Sequence, residues 1–392
     1  YEDEFSFPLY TPSWTFNEGS LVRWSQFPLI SDESVSTISD AVQIDPEDDL
    51  NQVKLLAVGD NLIHIEVVNS GKQADGSYNF DHLYSNLAKD ISAADIAVVN
   101  QETILGGATF AYSGYPSFNS PTEIGDALAN VGFDVVLHAT NHTMDMGLKA
   151  VENTLAFWSN YPEIKILGIN GTKEDKDTIP IVTKNGIKLA LLNYTYSLNG
   201  YKLPEGMPYL VNLLDKKQMT KDIIKAKELA DFVIVFPHWG SEYVYEATSI
   251  QKDLTALYYE LGVDLVIGTH PHVLEPVEWV ETEPGHRMLV YYSLGNFMSY
   301  QKEAPRMLGG LANITISKDA DKTYISEASI TPIVTHYEHG PADYKYGLYK
   351  LSDYTPEQAM LHGVSDIAQH GAFTYDETYA LAKKVLGSWF TE

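Results

Sequence analysis

The chain of 392 residues is long enough to bury a large core, as one large domain or as two. Its formal net charge of −27 at pH 7 argues against a nucleic-acid partner, whose phosphates need basic side chains, and against docking on anionic lipid. The absence of cysteine excludes disulfides, thiolate catalysis and cysteine-ligated zinc, and no apolar run approaches the length of a membrane span. An acidic surface of this kind can attract divalent cations.

The first fifty residues differ from the rest because they are rich in aromatic and acidic side chains and carry scattered prolines. Residues 45–49 form an acidic segment that is typical of a solvated hinge. We therefore predict that residues 1–50 form an extension or tether without regular structure of its own. The chain starts at Tyr1 without methionine and shows no signal peptide, which is compatible with a removed export signal or lipid anchor.

From residue 52 onward, apolar runs that predict buried strands alternate with segments of helical spacing. We expect these strands at residues 53–58, 95–99, 134–137, 231–236 and 264–267. We expect helices at residues 80–94, 147–158, 215–230 and 249–261. Strands that alternate with helices in this way are typical of a parallel sheet.

Other parts of the chain predict antiparallel pairs. Asn185-Gly186 lies between two apolar runs and indicates a hairpin with a two-residue turn. After residue 272, alternating segments at 273–280, 288–292, 311–316 and 324–335 favour antiparallel strands. We therefore predict one domain of two packed sheets over residues 51–350, and a helical segment over residues 351–392 that packs on the same domain.

Five of the predicted buried strands end in residues that can bind a hard or borderline metal ion. Gly268-Thr269-His270-Pro271-His272 places two imidazoles after one strand, and we expect Pro271 to hold His270 in an extended conformation. The other four strand ends carry Asp60, Glu102, Asn141 and His238. Because the carboxyl ends of parallel strands meet at one edge of a sheet, these side chains are predicted to lie together.

With His64, these residues form a set of seven candidate ligands that contains no sulfur. Carboxylate, amide and imidazole groups suit Mn, Fe, Zn or Mg better than they suit a structural zinc site. One metal needs three or four protein ligands, so this set fits two metals about 4 Å apart that share a carboxylate, an arrangement used for phosphoester hydrolysis. We therefore predict two divalent ions, with Mn, Fe or Zn favoured.

Six motifs, in order, resemble those of the CapA-type proteins, which are associated with poly-γ-glutamate capsule synthesis and belong to the calcineurin-like metallophosphoesterase superfamily. They are Gly59-Asp60, Asn100-Gln101-Glu102, Asn141-His142-Thr143-Met144-Asp145-Met146-Gly147, His238-Trp239-Gly240-Ser241-Glu242, Gly268-Thr269-His270-Pro271-His272 and Ser293-Leu294-Gly295-Asn296-Phe297. The resemblance covers roughly residues 53–349. It implies an α/β fold of the metallophosphatase type, a four-layer α/β/β/α sandwich of two mixed sheets with a dinuclear site between them.

The resemblance also implies how the metals are shared. Asp60, Glu102 and His272 would hold one ion, and the second would be held by Glu102, Asn141, His238 and His270. In this arrangement the carboxylate of Glu102 bridges the two ions.

Further roles are implied for residues beside the metals. His142 corresponds to the histidine that acts on the leaving-group oxygen as a general acid, and Asp145 would orient it as a neighbouring carboxylate. Asn296 and Trp239 are predicted to contact substrate.

Two functions remain open at this point. One is a metal-dependent hydrolase that cleaves a phosphoester or an amide of a polyglutamate-like chain. The other is a non-catalytic, metal-containing component that binds, anchors or exports an anionic polymer. The pair of His142 and Asp145 favours the hydrolase. Two departures from the phosphoesterase pattern favour the second function: Glu102 stands where an aspartate is usual, and His64 follows Asp60 by four positions instead of two. A third possibility, an acidic scaffold with vestigial motifs, would bind no metal.

The expected partners follow from these functions. They are an anionic polymer or a small phosphoester substrate, and a capsule-synthesis complex, with no nucleic acid. The resemblance predicts a location outside the cytoplasm, at the cell surface or anchored in the membrane. Contact with the membrane is expected only through an N-terminal anchor that has been lost.

Overall fold

The computed structural model of the chain describes residues 51–281, 285–339, 344–367 and 371–391. The predicted extension at residues 1–50 lies outside the described residues. The boundaries predicted for the domain and for the C-terminal segment stay predictions.

The strands and helices of the described chain alternate over its first two thirds, and strands dominate the part that follows. In chain order, the strands are β1 (Gln52–Asn61), β2 (Ile96–Asn100), β3 (Val135–Leu137), β4 (Lys165–Leu167), β5 (Ile181–Lys184), β6 (Ile187–Thr195), β7 (Phe232–His238), β8 (Leu265–Ile267), β9 (Val277–Val280), β10 (Met288–Tyr291), β11 (Asn296–Met298), β12 (Leu308–Lys318), β13 (Thr323–His339) and β14 (Tyr344–Lys350). The helices are α1 (Ile65–Ser70), α2 (Asp81–Tyr84), α3 (Ala88–Ser92), α4 (Glu123–Val131), α5 (Gly147–Trp158), α6 (Lys173–Asp177), α7 (Lys216–Leu229), α8 (Ser249–Glu260), α9 (Pro356–Met360) and α10 (Tyr375–Leu386).

Two mixed sheets are formed by the described strands. The first has the order β14-β13-β12-β1-β2-β3-β4, and the short β11 also pairs with β1. Within it, β1 to β4 run parallel, whereas β12, β13 and β14 are antiparallel. The second sheet has the order β5-β6-β7-β8-β10-β9, with a parallel centre and an antiparallel strand at each edge. The carboxyl ends of β1 to β3 and of β6 to β8 are therefore the strand ends that can carry a site.

The two sheets pack face to face, and helices cover their outer sides. Alternate residues of β6 show this, because Leu189 and Leu191 belong to the core shared with the first sheet. Leu192, on the other face of β6, packs with Ile223 of α7 and Leu254 of α8. Helices α2 and α4 add their apolar side chains to the first sheet. The predicted α/β class with two packed mixed sheets is thus confirmed.

Local sequence signals explain several of these elements. Asn185 and Gly186 both have positive φ, 48° and 74°, which the two-residue turn of the predicted hairpin requires. Asp215 accepts a hydrogen bond from the backbone of α7 at its first turn. Thr248 and Gln251 form a reciprocal capping box at the start of α8. These signals fix where the helices that cover the second sheet begin.

Three predictions of secondary structure are corrected. The helix expected at 80–94 is split into α2 and α3 by a 3-10 turn at Ser85–Leu87, where the Ser85 hydroxyl donates to the His82 carbonyl and the Asn86 amide donates to the Leu348 carbonyl of β14. The strand expected at 273–280 is shortened to β9, since the residues before it belong to the loop that follows β8. Strand β11 was not expected, because three residues carry no readable period.

The C-terminal segment contacts both sheets. Thr391 donates its backbone N–H to the carbonyl of Ile330 in β13 at 3.3 Å, and the ring centroid of Trp389 lies 6.4 Å from that of Tyr291 in β10. Within the part of the chain that the structure describes, the helices are all too short or too polar to cross a membrane.

Candidate metal centre

Both sheets place their candidate ligands at the same end of the sandwich. Asp60 is the penultimate residue of β1, Glu102 follows β2, and His238 ends β7. The loop after β8 carries His270 and His272. Ligand atoms of Glu102, His270 and His272 all lie within 4.8 Å of one another, and all three residues are buried.

Glycines allow the backbone segments to approach closely at this end. A Cβ atom at Gly59 would lie 1.8 Å from the carbonyl oxygen of Gly295. A Cβ atom at Gly268 would lie 2.0 Å from the carbonyl oxygen of Tyr292. Any other residue at either position would push the strand ends apart and displace the ligands that follow them.

The loop that carries the two histidines has a backbone conformation that the sequence did not suggest. His270 has φ of 98° and His272 has φ of 58°, so the expectation that Pro271 holds His270 extended is wrong. The His270 N–H donates to both oxygens of Asp60, each at 3.2 Å. The carbonyl of Pro271 accepts from the Tyr243 N–H at 2.8 Å. Tertiary hydrogen bonds therefore override the local preference, as is common at functional sites.

His272 is oriented through one of its ring nitrogens. Its Nδ1 lies 3.0 Å from Asp60 Oδ2 and 3.1 Å from Asn296 Oδ1. Because both oxygens accept hydrogen bonds, Nδ1 carries the proton, and Nε2 faces Glu102 Oε1 at 3.6 Å. The amide N–H of Asn296 donates to the Arg306 carbonyl at 2.8 Å. The structure thus gives Asn296 an orienting role, and its predicted contact with substrate stays a prediction.

His238 and Asn141 face each other beside Glu102. His238 Nε2 lies 2.9 Å from Asn141 Oδ1 and 3.8 Å from Glu102 Oε1. Its Nδ1 lies 3.0 Å from the hydroxyl of Thr269. Complete burial, together with the neighbouring imidazoles, holds the pKa of His238 well below its usual range. The ring is therefore neutral, which is the form that binds metals.

Glu102 is the least satisfied group of the site. It is 1% exposed, and no N–H or O–H group of the described residues donates to either carboxylate oxygen, so that its nearest possible partner is a proton shared with the Asp60 carboxylate. Burial raises its pKa well above the usual range, and Asp60, Glu242 and Asp145 add to this effect. Nδ1 of His270 also has no partner in the described chain. Buried groups without partners are rare in folded proteins, and a bound cation would satisfy both.

The donor set fits a metal ion on geometry as well. Metal bonds to nitrogen and oxygen of about 2.0–2.2 Å place neighbouring ligand atoms about 3–3.5 Å apart. The separations of 2.9 Å between His238 and Asn141 and of 3.6 Å and 3.8 Å between Glu102 and its two imidazoles lie close to this range. A carboxylate, an amide oxygen and neutral imidazoles also match the chemistry of Mn, Fe or Zn.

His64 is not brought into this cluster. It is the N-cap residue of α1, without a capping hydrogen bond from its side chain. Its Nδ1 accepts a hydrogen bond from the Tyr300 N–H at 3.1 Å and also lies 3.1 Å from the Leu62 carbonyl oxygen. The ring packs edge-on against Phe118 at 5.3 Å, and burial lowers its pKa to about 3. A ligand role for His64 stays a prediction.

His142 and Asp145 form the expected pair. His142 Nδ1 lies 2.7 Å from Asp145 Oδ2, and that oxygen also accepts the Phe118 N–H at 2.7 Å. The hydrogen bond to this carboxylate therefore places a proton on Nδ1, and Nε2 is the nitrogen available for proton transfer. The Phe118 ring packs edge-on against His142 at 4.7 Å.

Trp239 lies in the core and not at the site surface. Its side chain is completely buried in the cluster under α7 and α8, where its indole N–H donates to the Tyr292 carbonyl at 2.9 Å. The structure gives Trp239 a packing role, and its predicted contact with substrate finds no support there.

The sequence analysis gave no role to three residues that lie at the site. Asn100 donates to Asp60 Oδ1 at 2.8 Å, the Tyr196 ring lies 4.6 Å from that of His270, and Asn199 accepts from the Asn141 amide at 3.2 Å. Tyr196 and Asn199 follow β6, which was interpreted only as half of a hairpin. Because β6 also pairs in parallel with β7, its carboxyl end is a further strand end at the same edge.

Comparison with known proteins identifies relatives of similar sequence. The chain is 29% identical over 251 residues to the "PGA biosynthesis protein CapA" of Bacillus subtilis, a match that covers 64% of this chain and 63% of that protein. It is 29% identical over 177 residues to the "Capsule biosynthesis protein CapA" of Bacillus anthracis, covering 44% of this chain and 41% of that protein. The matched region is thus less than two thirds of the length of either relative.

Several solved structures are similar to part of this chain. The calcineurin-like phosphoesterase YfkN from Bacillus subtilis is similar over 84% of this chain and 98% of its own, with 15% identity and a TM-score of 0.43. A 5'-nucleotidase described as putative, from Staphylococcus aureus, is similar over 72% of this chain and 54% of its own, with 14% identity and a TM-score of 0.45.

The family assignment comes from the sequence itself. Residues 54–301, well over half of the chain, match the family described as "Bacterial capsule synthesis protein PGA_cap". This range contains every residue of the candidate metal centre, and it confirms the resemblance that the six motifs indicated. The chain therefore belongs to the bacterial capsule synthesis family PGA_cap.

Proposed function

We propose that this chain is a metal-dependent hydrolase of capsule synthesis, which cleaves a phosphoester or an amide bond at the candidate metal centre. One observation carries the proposal: the buried carboxylate of Glu102 faces the imidazoles of His270 and His272 and accepts no hydrogen bond from an N–H or O–H group of the described residues. A group in this state is strongly destabilising unless a cation compensates its charge.

The ligands divide into two groups around Glu102. His238, Asn141 and His270 would hold one divalent ion, and Asp60 with His272 would hold the other. Two such ions, when bound, supply Lewis acidity and a nucleophile derived from water at neutral pH. The donor set favours Mn, Fe or Zn.

The protein itself supplies a positioned proton donor. Asp145 fixes the ring of His142 through Nδ1, so that Nε2 is the nitrogen that can hold a proton for a leaving group. The close packing of Phe118 against the ring restricts its motion. A protein that only bound a polymer would have no use for a ring held in this way.

The relatives are named for PGA biosynthesis and capsule biosynthesis. We extend this role to the present chain and propose that it helps to make an anionic capsule polymer outside the cytoplasm. Such a polymer offers two kinds of bond, an amide of the chain itself and a phosphoester of a carrier or small molecule. Both are attacked at an oxygen-bearing centre that a two-metal site can polarise.

The test is hydrolysis by the purified protein after removal of metals with a chelator and reconstitution with Mn²⁺, Fe²⁺ or Zn²⁺. The substrates are p-nitrophenyl phosphate, a bis-p-nitrophenyl ester and a γ-glutamyl p-nitroanilide. We expect turnover of at least one substrate that depends on added metal. Turnover that is equal with and without metal would contradict the proposal. Retained metal without any turnover would instead favour a non-catalytic component that binds an anionic polymer.

A further inference from the structure

Arginine is scarce in this chain, and one of its few examples lies beside the metal centre. The sequence contains three arginines, Arg23, Arg287 and Arg306. The Arg306 guanidinium carbon lies 3.4 Å from the centroid of the Tyr243 ring. That ring lies 6.0 Å from the ring of His272. The cation is therefore within the reach of a substrate that contacts His272, although Arg306 lies outside the region matched by the family.

The position of Arg306 is coupled to that of His272. The Asn296 side chain contacts both, with its Nδ2 on the Arg306 carbonyl at 2.8 Å and its Oδ1 near His272 Nδ1 at 3.1 Å. Gln301 accepts from Asn296 at 2.9 Å and lies 3.3 Å from the Tyr243 hydroxyl. The segment that carries Arg306 is thus tied to a candidate metal ligand and to the aromatic ring on which the guanidinium stacks.

The guanidinium keeps hydrogen-bonding capacity for a ligand. Among the described residues its one ion pair is to Glu303 at 2.8 Å, and the two side chains are 18% and 41% exposed. A guanidinium has five N–H donors, so a single carboxylate leaves several of them available. An ion pair with an exposed partner contributes little to stability and is readily exchanged for another anion.

The electrostatics of the site call for such a cation. Asp60, Glu102 and Glu242 place carboxylates at the centre, which the two proposed metal ions would compensate, and the chain as a whole carries a net charge of −27. Against this net charge, a fixed positive group beside the metals favours the docking of an anionic substrate. Lys302, whose Nζ lies 4.9 Å from the ring of Tyr300, adds a second cation to the same segment.

We propose that Arg306 anchors an anionic group of the substrate at the His272 side of the metal centre. The ligand is an oxyanion, either a carboxylate of a γ-linked glutamate chain or a phosphate, since a guanidinium binds both through paired N–H donors. The inference rests on the proposed function for the bond that is cleaved, but the anion site itself is defined by binding alone.

The test measures binding by calorimetry with two probes, inorganic phosphate and a γ-linked glutamate tetramer. Arg306→Gln keeps the backbone carbonyl that Asn296 holds and removes the charge. The control is Arg287→Gln, because Arg287 also stacks on an aromatic ring, Trp279 at 4.1 Å, and also pairs with a glutamate. We expect Arg306→Gln to weaken binding of a probe about ten- to a hundredfold, the range for charged hydrogen bonds, with no change in Arg287→Gln.

A second variant changes affinity in the opposite direction. Glu303→Gln removes the carboxylate that competes for Arg306, so we expect it to bind the probe more tightly than the wild type. The probe that responds identifies the source of the anion, a carboxylate or a phosphate. Unchanged affinity in Arg306→Gln, equal losses in both arginine variants, or no measurable binding of either probe to the wild type would overturn the proposal.

These measurements are independent of turnover. If the protein hydrolyses nothing but Arg306→Gln still loses affinity, the proposed hydrolase function fails and the anion site stands. If hydrolysis is observed and Arg306→Gln binds as the wild type does, the anion site fails and the hydrolase function stands.

Discussion

Two glutamate side chains of this protein are buried, which disfavours their charged form, and they differ in the groups that surround them. Glu102 and Glu275 are 1% and 0% exposed, and burial raises the pKa of each carboxyl group. Glu275 accepts a hydrogen bond from Gln251 Nε2 at 2.6 Å. Its pKa of about 8 means that it carries a proton at neutral pH and needs no cation. It is part of the capping arrangement of α8 and has no role in the proposed chemistry.

Glu102 accepts no comparable hydrogen bond from an amide of the described residues. Its neighbours are imidazoles, which can bind cations, and further carboxylates, which repel its charge. The comparison teaches that burial and a raised pKa alone do not identify a site in this protein. The chemistry of the surrounding groups distinguishes a carboxyl group that is kept protonated from one that is arranged to hold a metal.

The largest effect is expected from His142→Ala, which tests whether a general acid lies beside the centre that contains Glu102. We expect turnover to fall about a hundred- to ten-thousandfold, because a positioned general acid contributes this much. Metal content should stay at the wild-type level, since His142 is not a proposed ligand. The measurement is kcat beside elemental analysis, with His82→Ala as a control at an exposed histidine. Unchanged turnover would show that His142 is not the acid.

A smaller effect is expected from Asn296→Ala, which removes the side chain that orients His272. Outer partners of metal-binding histidines change metal affinity about ten- to a hundredfold when they are removed. We expect a loss in this range in a competition titration with a chromophoric chelator. Asn313→Ala is the control, because Asn313 lies on β12 and its amide donates to Leu311 and Thr331, away from the candidate metal centre. An unchanged affinity in Asn296→Ala would mean that His272 is held by Asp60 alone or is not a ligand.

The smallest expected effect is on the stability of the fold and concerns Glu275. The pKa of Glu275 is raised from 4.5 to about 8 in the fold, so the folded chain binds a proton that the unfolded chain releases above pH 4.5. Its contribution to stability is therefore complete below about pH 4.5 and is lost as the pH rises towards 8. Glu275→Gln imitates the protonated group and should remove this loss.

Denaturant unfolding at pH 5 and pH 8 measures this difference. We expect Glu275→Gln to match the wild type at pH 5 and to exceed its free energy of unfolding at pH 8 by about 3 kcal/mol, from 1.36 kcal/mol per pKa unit. An equal pH dependence in the two proteins would show that Glu275 is ionised in the fold, and the contrast with Glu102 would disappear.

The sequence predicted much of the site because its residues lie at strand ends. Asp60, Glu102 and His238 follow apolar runs of parallel strands, and the rule that such ends converge needs no tertiary information. Tyr196 was not predicted to lie at the site because β6, the strand before it, also forms a hairpin. The carboxyl end of β6 was therefore not recognised as one of the parallel strand ends. The orienting role of Asn296 depends on the pairing of the short β11 with β1, a contact between residues far apart in sequence.

The backbone of the histidine loop could not be predicted for a different reason. Pro271 favours an extended residue before it, but the hydrogen bond from the His270 N–H to Asp60 and that from the Tyr243 N–H to the Pro271 carbonyl hold His270 at a positive φ. Trp239 lies within a site motif, but its side chain is buried in the core, and its contact with substrate stays a prediction. In both cases the outcome depends on which elements pack around the residue, and local sequence does not contain that information.

The central claim is that Glu102 holds metal and Glu275 does not. The most direct test is elemental analysis by inductively coupled plasma mass spectrometry after reconstitution of four proteins: the wild type, Glu102→Gln, Glu275→Gln and His270→Ala. We predict about two equivalents of Mn, Fe or Zn in the wild type and in Glu275→Gln, and a loss of metal in Glu102→Gln and in His270→Ala. Equal metal content in Glu102→Gln and the wild type, or no metal in any of the four, would contradict the account.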